Sequence, residues 1–259
     1  MNGAEIQSQL REVAALIAGA ETVVALTGAG ISVDSGIPAF RGSQGLWDKY
    51  DPMDYASIDS FRADPARVWG MLLELDNLVR GALPNPAHAA LARLEAVGRL
   101  SAVITQNIDG LHQAAGNRSV IEFHGSGRRL RCTSCGRQVG RLELVLDPLP
   151  PRCGCGGVVK PDVVLFGEPI PERAAMTAFT LASACQVMLV VGTSAVVAPA
   201  SHLPLLAKGN DAKVVEINLE PTSLSQRVSD YVFHLPAATL LPWLVQAVED
   251  LLAERGELP

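Results

Sequence analysis

The chain alternates between two patterns of apolar residues. Short unbroken apolar runs occur in "TVVALTG" (22–28), "SAVITQN" (101–107), "VMLVVGTS" (187–194), "VVEINLE" (214–220) and "YVFHLP" (231–236). Runs this short, rich in β-branched residues and closed by Gly, Asn or Pro, predict strands buried on both faces. Between them the spacing turns helical. Ile6, Leu10, Val13, Ala14, Leu16 and Ile17 recur at helical intervals over 5–19. A second helix is predicted over "AHAALARLEAVG", with Asn85 as N-cap, Pro86 at the first helical position and Gly98 at its end. Alternation of buried strands and helices predicts an α/β fold, a Rossmann-like parallel sheet covered on both faces.

Two stretches break the alternation. Residues 40–84 are rich in Gly, Asp and Trp with short helical pieces, and residues 125–160 hold four of the five cysteines. Both are expected to leave the main sheet and return, forming an inserted small domain. The expected division is residues 1–39, 85–124 and 161–259 for the large domain. Residues 40–84 form a helical, cofactor-loop part and 125–160 a zinc-ribbon part of the small one. Within the latter, Cys132 and Cys135 form C-x-x-C, and Cys153 and Cys155 form C-x-C, with seventeen residues between the pairs. Two knuckles at that separation predict a structural Zn2+ ion, with no open position for catalysis. Cys185 stands alone and reads as packing.

Composition adds bounds. At 48% hydrophobic and 19% charged residues, the chain can fill a core, and with 5% aromatics that core must be mostly aliphatic. A net charge of -6 argues against nucleic-acid binding by the whole surface. The N-terminus lacks a basic segment leading into an apolar one. The longest apolar stretch is interrupted by Gly192, Thr193 and Ser194. A cytoplasmic protein with no membrane partner is therefore expected. Arg128, Arg129, Arg131, Arg137, Arg141 and Arg152 surround the cysteines, opposed within 128–160 only by Glu143 and Asp147. They read first as a solvated face, and second as a basic patch for an acidic partner or nucleic acid.

The chemistry gathers where strands end. "LTGAGISVDSG" (26–36) starts as a dinucleotide loop with Gly28 and Gly30 but has Val33 where the G-x-G-x-x-G fingerprint has its third glycine. Further polar stretches are "TQNIDGLH", "EFHGS", "KPDVVLFGE", "GTS" and "EIN". In this order, together with "SGIPAFR" and the paired cysteines, they resemble the sirtuins (Sir2 family), NAD-dependent protein lysine deacylases, over roughly residues 20–240.

The resemblance implies NAD as a consumed co-substrate, held between the two domains, and acyl-lysine proteins as partners. The acyl oxygen attacks C1′ of the nicotinamide ribose and nicotinamide leaves. A histidine base then activates a ribose hydroxyl, which takes the acyl group. By resemblance Ala29, Gly30 and Ser32 line the diphosphate, where a helix N-terminus suits an anion, and Asp34 caps or orients the loop. Phe40 and Arg41 form a pair that covers the ribose and meets its oxygens. Gln106 contacts ribose, Asn107 orients its reacting face and a water, and Ile108 and Asp109 hold the carboxamide. Gly192, Thr193 and Ser194 bind ribose and phosphate. Asn218 and Leu219 hold the adenosine ribose.

His124 is the expected general base, with His112 its one serious rival among the histidines; His88 reads as structural. An acyl-lysine peptide would add as a strand between Gly167–Glu168 and Val197–Ala198, with Val163 and Phe166 along the acyl tunnel. Leu72 and Leu75 fall where acid-acyl sirtuins carry Tyr and Arg, which predicts neutral acyl substrates. A mono-ADP-ribosyltransferase using the same cleft is the alternative. A dehydrogenase is disfavoured by the broken fingerprint.

Overall fold

The computed structural model describes residues 3–40 and 45–258. Its larger unit is a sheet of six parallel strands in the order β3-β2-β1-β7-β8-β9. These are β1 (Val23–Thr27), β2 (Ala102–Thr105), β3 (Val120–Glu122), β7 (Val187–Val191), β8 (Lys213–Ile217) and β9 (Tyr231–Phe233). Strands β1, β2 and β7 are buried throughout, which is why they read as continuous apolar runs. Strand β3 was not foreseen. It is only three residues long, half-buried at the sheet edge, and followed directly by the polar "EFHGS".

Alternate residues of each strand feed two separate cores. Val23, Ala25, Leu189, Val191, Val215 and Ile217 pack under α1 (Gly3–Gly19), α6 (Pro86–Ala96) and α10 (Ala237–Glu254). Val24, Leu26, Ile104, Met188, Val190 and Val214 pack under α8 (Glu172–Ala184) and α9 (His202–Gly209). Helix α6 begins as the sequence predicts. Asn85 caps it by accepting from Ala87 N at 2.9 Å, and Gly98 leaves it with φ +74.

The smaller unit has its own core. Four helices, α2 (Leu46–Lys49), α3 (Pro52–Tyr55), α4 (Ile58–Ala63) and α5 (Pro65–Gly81), pack on a three-stranded antiparallel sheet. Its strands are β4 (Gly125–Cys132), β5 (Gln138–Val139) and β6 (Val159–Val163). Trp69 joins the two layers, its indole N–H donating to Val159 O at 2.7 Å. The ribbon strand runs on to Val163, so this residue belongs to the small core while lying opposite Gly125, next to His124.

Chain direction decides where ligands can sit. From β1 the sheet grows outward through β2 and β3, and on the other side through β7, β8 and β9. The loops after β1 and β7 therefore diverge at a switch point, the usual ligand crevice of a parallel sheet.

Candidate active site

The loops after β1 and β7 interlock by backbone. Gly28 N donates to Val191 O at 3.0 Å and Gly30 N to Gly192 O at 2.8 Å. A Cβ on Gly30 would lie 2.7 Å from Gly192 Cα, and one on Gly192 would lie 2.3 Å from Ile31 N. These glycines are thus required by loop-to-loop contact. Val33 breaks the fingerprint without penalty. It is 42% exposed and sits in a 3-10 turn (Ala29–Ser35), with no long helix to press against the strand.

Asp34 is exposed, and no hydrogen bond joins its side chain to another described residue. Other residues hold the loop. Asn85 Nδ2 donates to Ile31 O (2.7 Å) and Ser35 Oγ (3.0 Å), and Ser32 Oγ donates to Asp109 Oδ2 (2.8 Å). Sequence reasoning saw Asn85 only as a helix cap.

Asn107 and Asp109 are both buried in the same network. Asn107 Nδ2 donates to Gly28 O and to Ser32 Oγ, each at 3.1 Å, and Asp109 Oδ1 accepts from Leu111 N at 2.9 Å. Asn107 Oδ1 is buried with no partner. An orphaned acceptor on a cavity wall is a place for a ligand donor or a water. That cavity lies between Ser32, Asn107, Ile108 and Asp109 on one side and Phe40, Leu46, Leu75 and Val79 on the other. Phe40 stacks on Trp47 with ring centroids 5.3 Å apart, and Trp47 meets Phe166 at 6.3 Å. Phe40 is accordingly a cavity wall, outside the main cores. Arg41 falls outside the described residues.

A hydrogen-bonded path runs along the carboxyl edge of the sheet. Asn218 Nδ2 donates to Thr193 O (2.8 Å) and Gln106 Nε2 to Thr193 Oγ1 (3.0 Å). Gln106 O lies 3.1 Å from His124 Nδ1. A carbonyl oxygen can only accept, so Nδ1 carries the proton and Nε2 keeps a free lone pair. Burial pushes the His124 pKa down, and the Gln106 carbonyl partly restores it. The imidazole is therefore neutral at pH 7, in the tautomer of a base. Ser194 and Leu219 are exposed at this edge, Leu219 by 64%.

His112 is ruled out as the base. It is buried, with Nε2 donating to Thr27 Oγ1 at 2.9 Å, and Thr27 in turn donates to Thr105 Oγ1 at 2.9 Å. Burial, reinforced by the nearby His88 ring at 4.9 Å, pushes its pKa down to about 3. His88 is structural, as expected. Its Nδ1 accepts from Asn85 N, completing the capping box, and burial lowers its pKa to about 4.

The substrate-groove residues divide. Phe166 is bound through its backbone to the helical module, with Phe166 N donating to Ala56 O and Ile58 N to Phe166 O. Glu168 turns back to brace its own loop, accepting from Leu165 N (2.8 Å) and Lys160 Nζ (2.9 Å). Gly167 is exposed with φ +86. Val197 is half-buried and Ala198 exposed beyond the Gly192–Ser194 loop. Of the two acyl-selectivity positions, Leu75 lines the cavity while Leu72 is buried in the small core. Glu74 points outward and is held by Lys49 and Tyr50.

The four cysteine sulfurs lie within 4.8 Å of one another, with Cys132–Cys155 at 3.6 Å and Cys135–Cys153 at 3.9 Å. A tetrahedron with Zn–S bonds of about 2.3 Å has S–S edges of about 3.8 Å. Two of the six edges match that value, and four thiolates so close together suit zinc.

Half of the basic patch is neutralised from outside its own segment, which the sequence could not show. Arg129 pairs with Glu122 and Asp162, Arg131 with Asp162, and Arg141 with Asp76, while Arg137 pairs with Glu143 inside the segment.

Comparison with known proteins agrees with this geometry. Residues 28–199 match the profile of the Sir2 family. The NAD-dependent protein deacylase 2 of Pyrobaculum aerophilum is 47% identical over 247 residues, covering 95% of this chain and 98% of the relative. A Sir2 homolog solved as its NAD complex is 42% identical with TM-score 0.87, covering 93% of this chain and 94% of that one. Sir2Af2 bound to a myristoylated histone peptide is 39% identical with TM-score 0.80, covering 96% and 99%.

Proposed function

The chain belongs to the Sir2 family and is an NAD-dependent protein lysine deacylase, and from that premise we propose which residues do the work. The division into a large domain (1–39, 85–124, 161–259) and a small one (40–84, 125–160) is part of this reading, with the small sheet running past residue 160 to Val163, and the reaction occupies the cleft between them. NAD, when bound, would supply an electrophilic ribose carbon for the acyl oxygen, with nicotinamide as the leaving group.

The loop that carries Ala29, Gly30 and Ser32 and the loop Gly192–Ser194 receive the diphosphate and ribose, with the Gly30 amide engaged in joining the two loops. Asn218 and Leu219 receive the adenosine ribose, and Gln106 a hydroxyl of the reacting ribose. Asn107, with its free Oδ1, orients the reacting face, and Ile108 and Asp109 hold the carboxamide. Phe40 closes the cavity against water. His124 Nε2 takes the proton of the attacking ribose hydroxyl, while Gln106 O holds the ring in the required tautomer. The lone pair left on Nε2 by the Nδ1–Gln106 bond is the observation that carries this assignment.

Cys132, Cys135, Cys153 and Cys155 hold one structural zinc. Gly167–Glu168 and Val197–Ala198 receive the substrate main chain, with Val163 and Phe166 along the acyl group. The apolar wall at Leu75 favours neutral acyl groups. A cytoplasmic location completes the reading; no helix of the described residues is long and apolar enough to cross a membrane.

The test is incubation with NAD and an acetyl-lysine peptide, with products identified by mass. O-acetyl-ADP-ribose and nicotinamide are expected. ADP-ribosylated protein would favour the transferase instead. His124→Ala should lose roughly 10²–10⁴ in kcat while still binding ADP-ribose. Full activity in that variant would overturn the assignment.

A further inference from the structure

Strand β8 carries an acid where packing would place an apolar residue. Val215 and Ile217 point into the core under α1 and α10, and Val214 into the opposite core. Glu216 shares the face of Val214 and is 0% exposed. No basic side chain of the described residues bonds to it. Three hydroxyls satisfy it instead. Thr222 Oγ1 donates to Oε1 at 2.6 Å, and Ser225 Oγ and Ser229 Oγ donate to Oε2 at 2.9 and 2.8 Å.

All three donors lie in the loop that follows β8. This loop has no regular structure, and Leu224 and Val228 anchor it in the core beside the acid. Two of the hydroxyls also accept: Thr222 Oγ1 from Leu224 N at 3.0 Å, and Ser225 Oγ from Thr222 N at 2.9 Å. Each thus ties the loop's own backbone to Glu216. The same loop begins with Asn218 and Leu219 at the ligand edge of the sheet, where Asn218 reaches across to Thr193 O.

We infer that Glu216 is a positioning residue for the adenosine half of NAD: its buried carboxylate folds the 218–229 loop so that Asn218 and Leu219 are preset for the ribose. This rests on the deacylase reading above. It assigns to Glu216 no contact with the nucleotide. A preset loop loses less conformational freedom on binding, so the effect belongs in affinity for the nucleotide and not in the chemical step.

The test is calorimetric titration of the full, zinc-loaded chain with ADP-ribose, beside steady-state kinetics. Glu216→Gln keeps the shape but replaces one acceptor with an N–H2 group, leaving a buried hydroxyl hydrogen unpaired. ADP-ribose affinity should fall about tenfold, the effect of one unpaired buried polar group. The KM for NAD should rise in step, with kcat and the peptide KM within about twofold of wild type. Ser229→Ala removes a single donor without stranding another group and should weaken ADP-ribose less; Ser225→Ala also leaves Thr222 N without its acceptor and should weaken it more than Ser229→Ala does. They carry the test if Glu216→Gln does not fold.

Leu252→Ala is the control for general destabilisation. Leu252 is fully buried in the other core, so its loss should lower Tm and leave ADP-ribose affinity unchanged. Unchanged affinity in Glu216→Gln and both serine variants would overturn the inference. So would an equal loss of affinity in Leu252→Ala. Failure of the wild-type chain to bind ADP-ribose would instead overturn the deacylase reading.

Discussion

Acid should unfold this protein through two histidines that the reaction does not use. His112 and His88 are buried side by side, and their pKa values are pushed from 6.5 down to about 3 and about 4. The unfolded chain binds a proton on each near pH 6.5, while the folded protein does not. The stability contributed by each neutral ring is therefore complete above about pH 6.5 and is lost as pH falls toward the folded values. At pH 5 both folded rings are still neutral. Each unfolded ring is then roughly 1.5 units below its pKa, which corresponds to about 2 kcal/mol per histidine. The pair should lose about 4 kcal/mol between pH 7 and 5, a large part of a typical folding free energy.

The variant to compare is His88→Gln/His112→Gln. Gln is the usual capping-box partner at the His88 position, and at position 112 it can still donate to Thr27. The measurement is urea unfolding at closely spaced pH values, with the slope m held common. The double variant should be flatter than wild type by about 4 kcal/mol over that range. Zinc release adds acid sensitivity to both proteins and cancels in the difference. An equal loss in the two proteins would refute the argument, because it would place the proton uptake elsewhere.

The same logic applies to the base. Burial lowers the His124 pKa, so the acid limb of kcat/KM should fall below pH 6.5, and a limb above that value would contradict the Gln106-bound geometry. Zinc analysis should find one ion per chain. Cys153→Ser should abolish it and red-shift tryptophan emission, since Trp69 is buried against Val159 of the ribbon. Desuccinylation should run at least about tenfold below deacetylation in kcat/KM, because the wall at Leu75 leaves the distal carboxylate unpaired. Gly30→Ala should raise the KM for NAD and cost about 1–3 kcal/mol of stability, because the new methyl meets Gly192 at 2.7 Å.

Much of this protein was legible along the chain because the relevant physics is local. A strand buried on both faces must be an apolar run, so β1, β2 and β7 could be read, and the β-branched and aromatic residues of β8 and of the half-buried edge strand β9 marked two more. Zinc needs four thiolates, and two knuckles supply them at readable spacing. His124 was singled out by the resemblance of "EFHGS" to a family motif. Edge strand β3 was missed because three half-buried residues carry no period.

What the tertiary structure decided concerns pairs of residues far apart in sequence. Gly30 must be glycine because Gly192 is pressed against it, a contact set by the parallel pairing of β1 and β7. His124 is the candidate base over His112 because its ring donates to a carbonyl while staying half-buried, whereas His112, which also has an unpartnered nitrogen, is sealed in the interior against Thr27. The arginines that looked unopposed find Glu122, Asp162 and Asp76 from outside their segment. The first loop is held at Ile31 and Ser32 by Asn85 and Asp109, both far along the chain. Sequence specifies which groups are present and their local conformations; only packing assigns each buried donor its acceptor, and that pairing selects which polar residues remain free to meet a ligand.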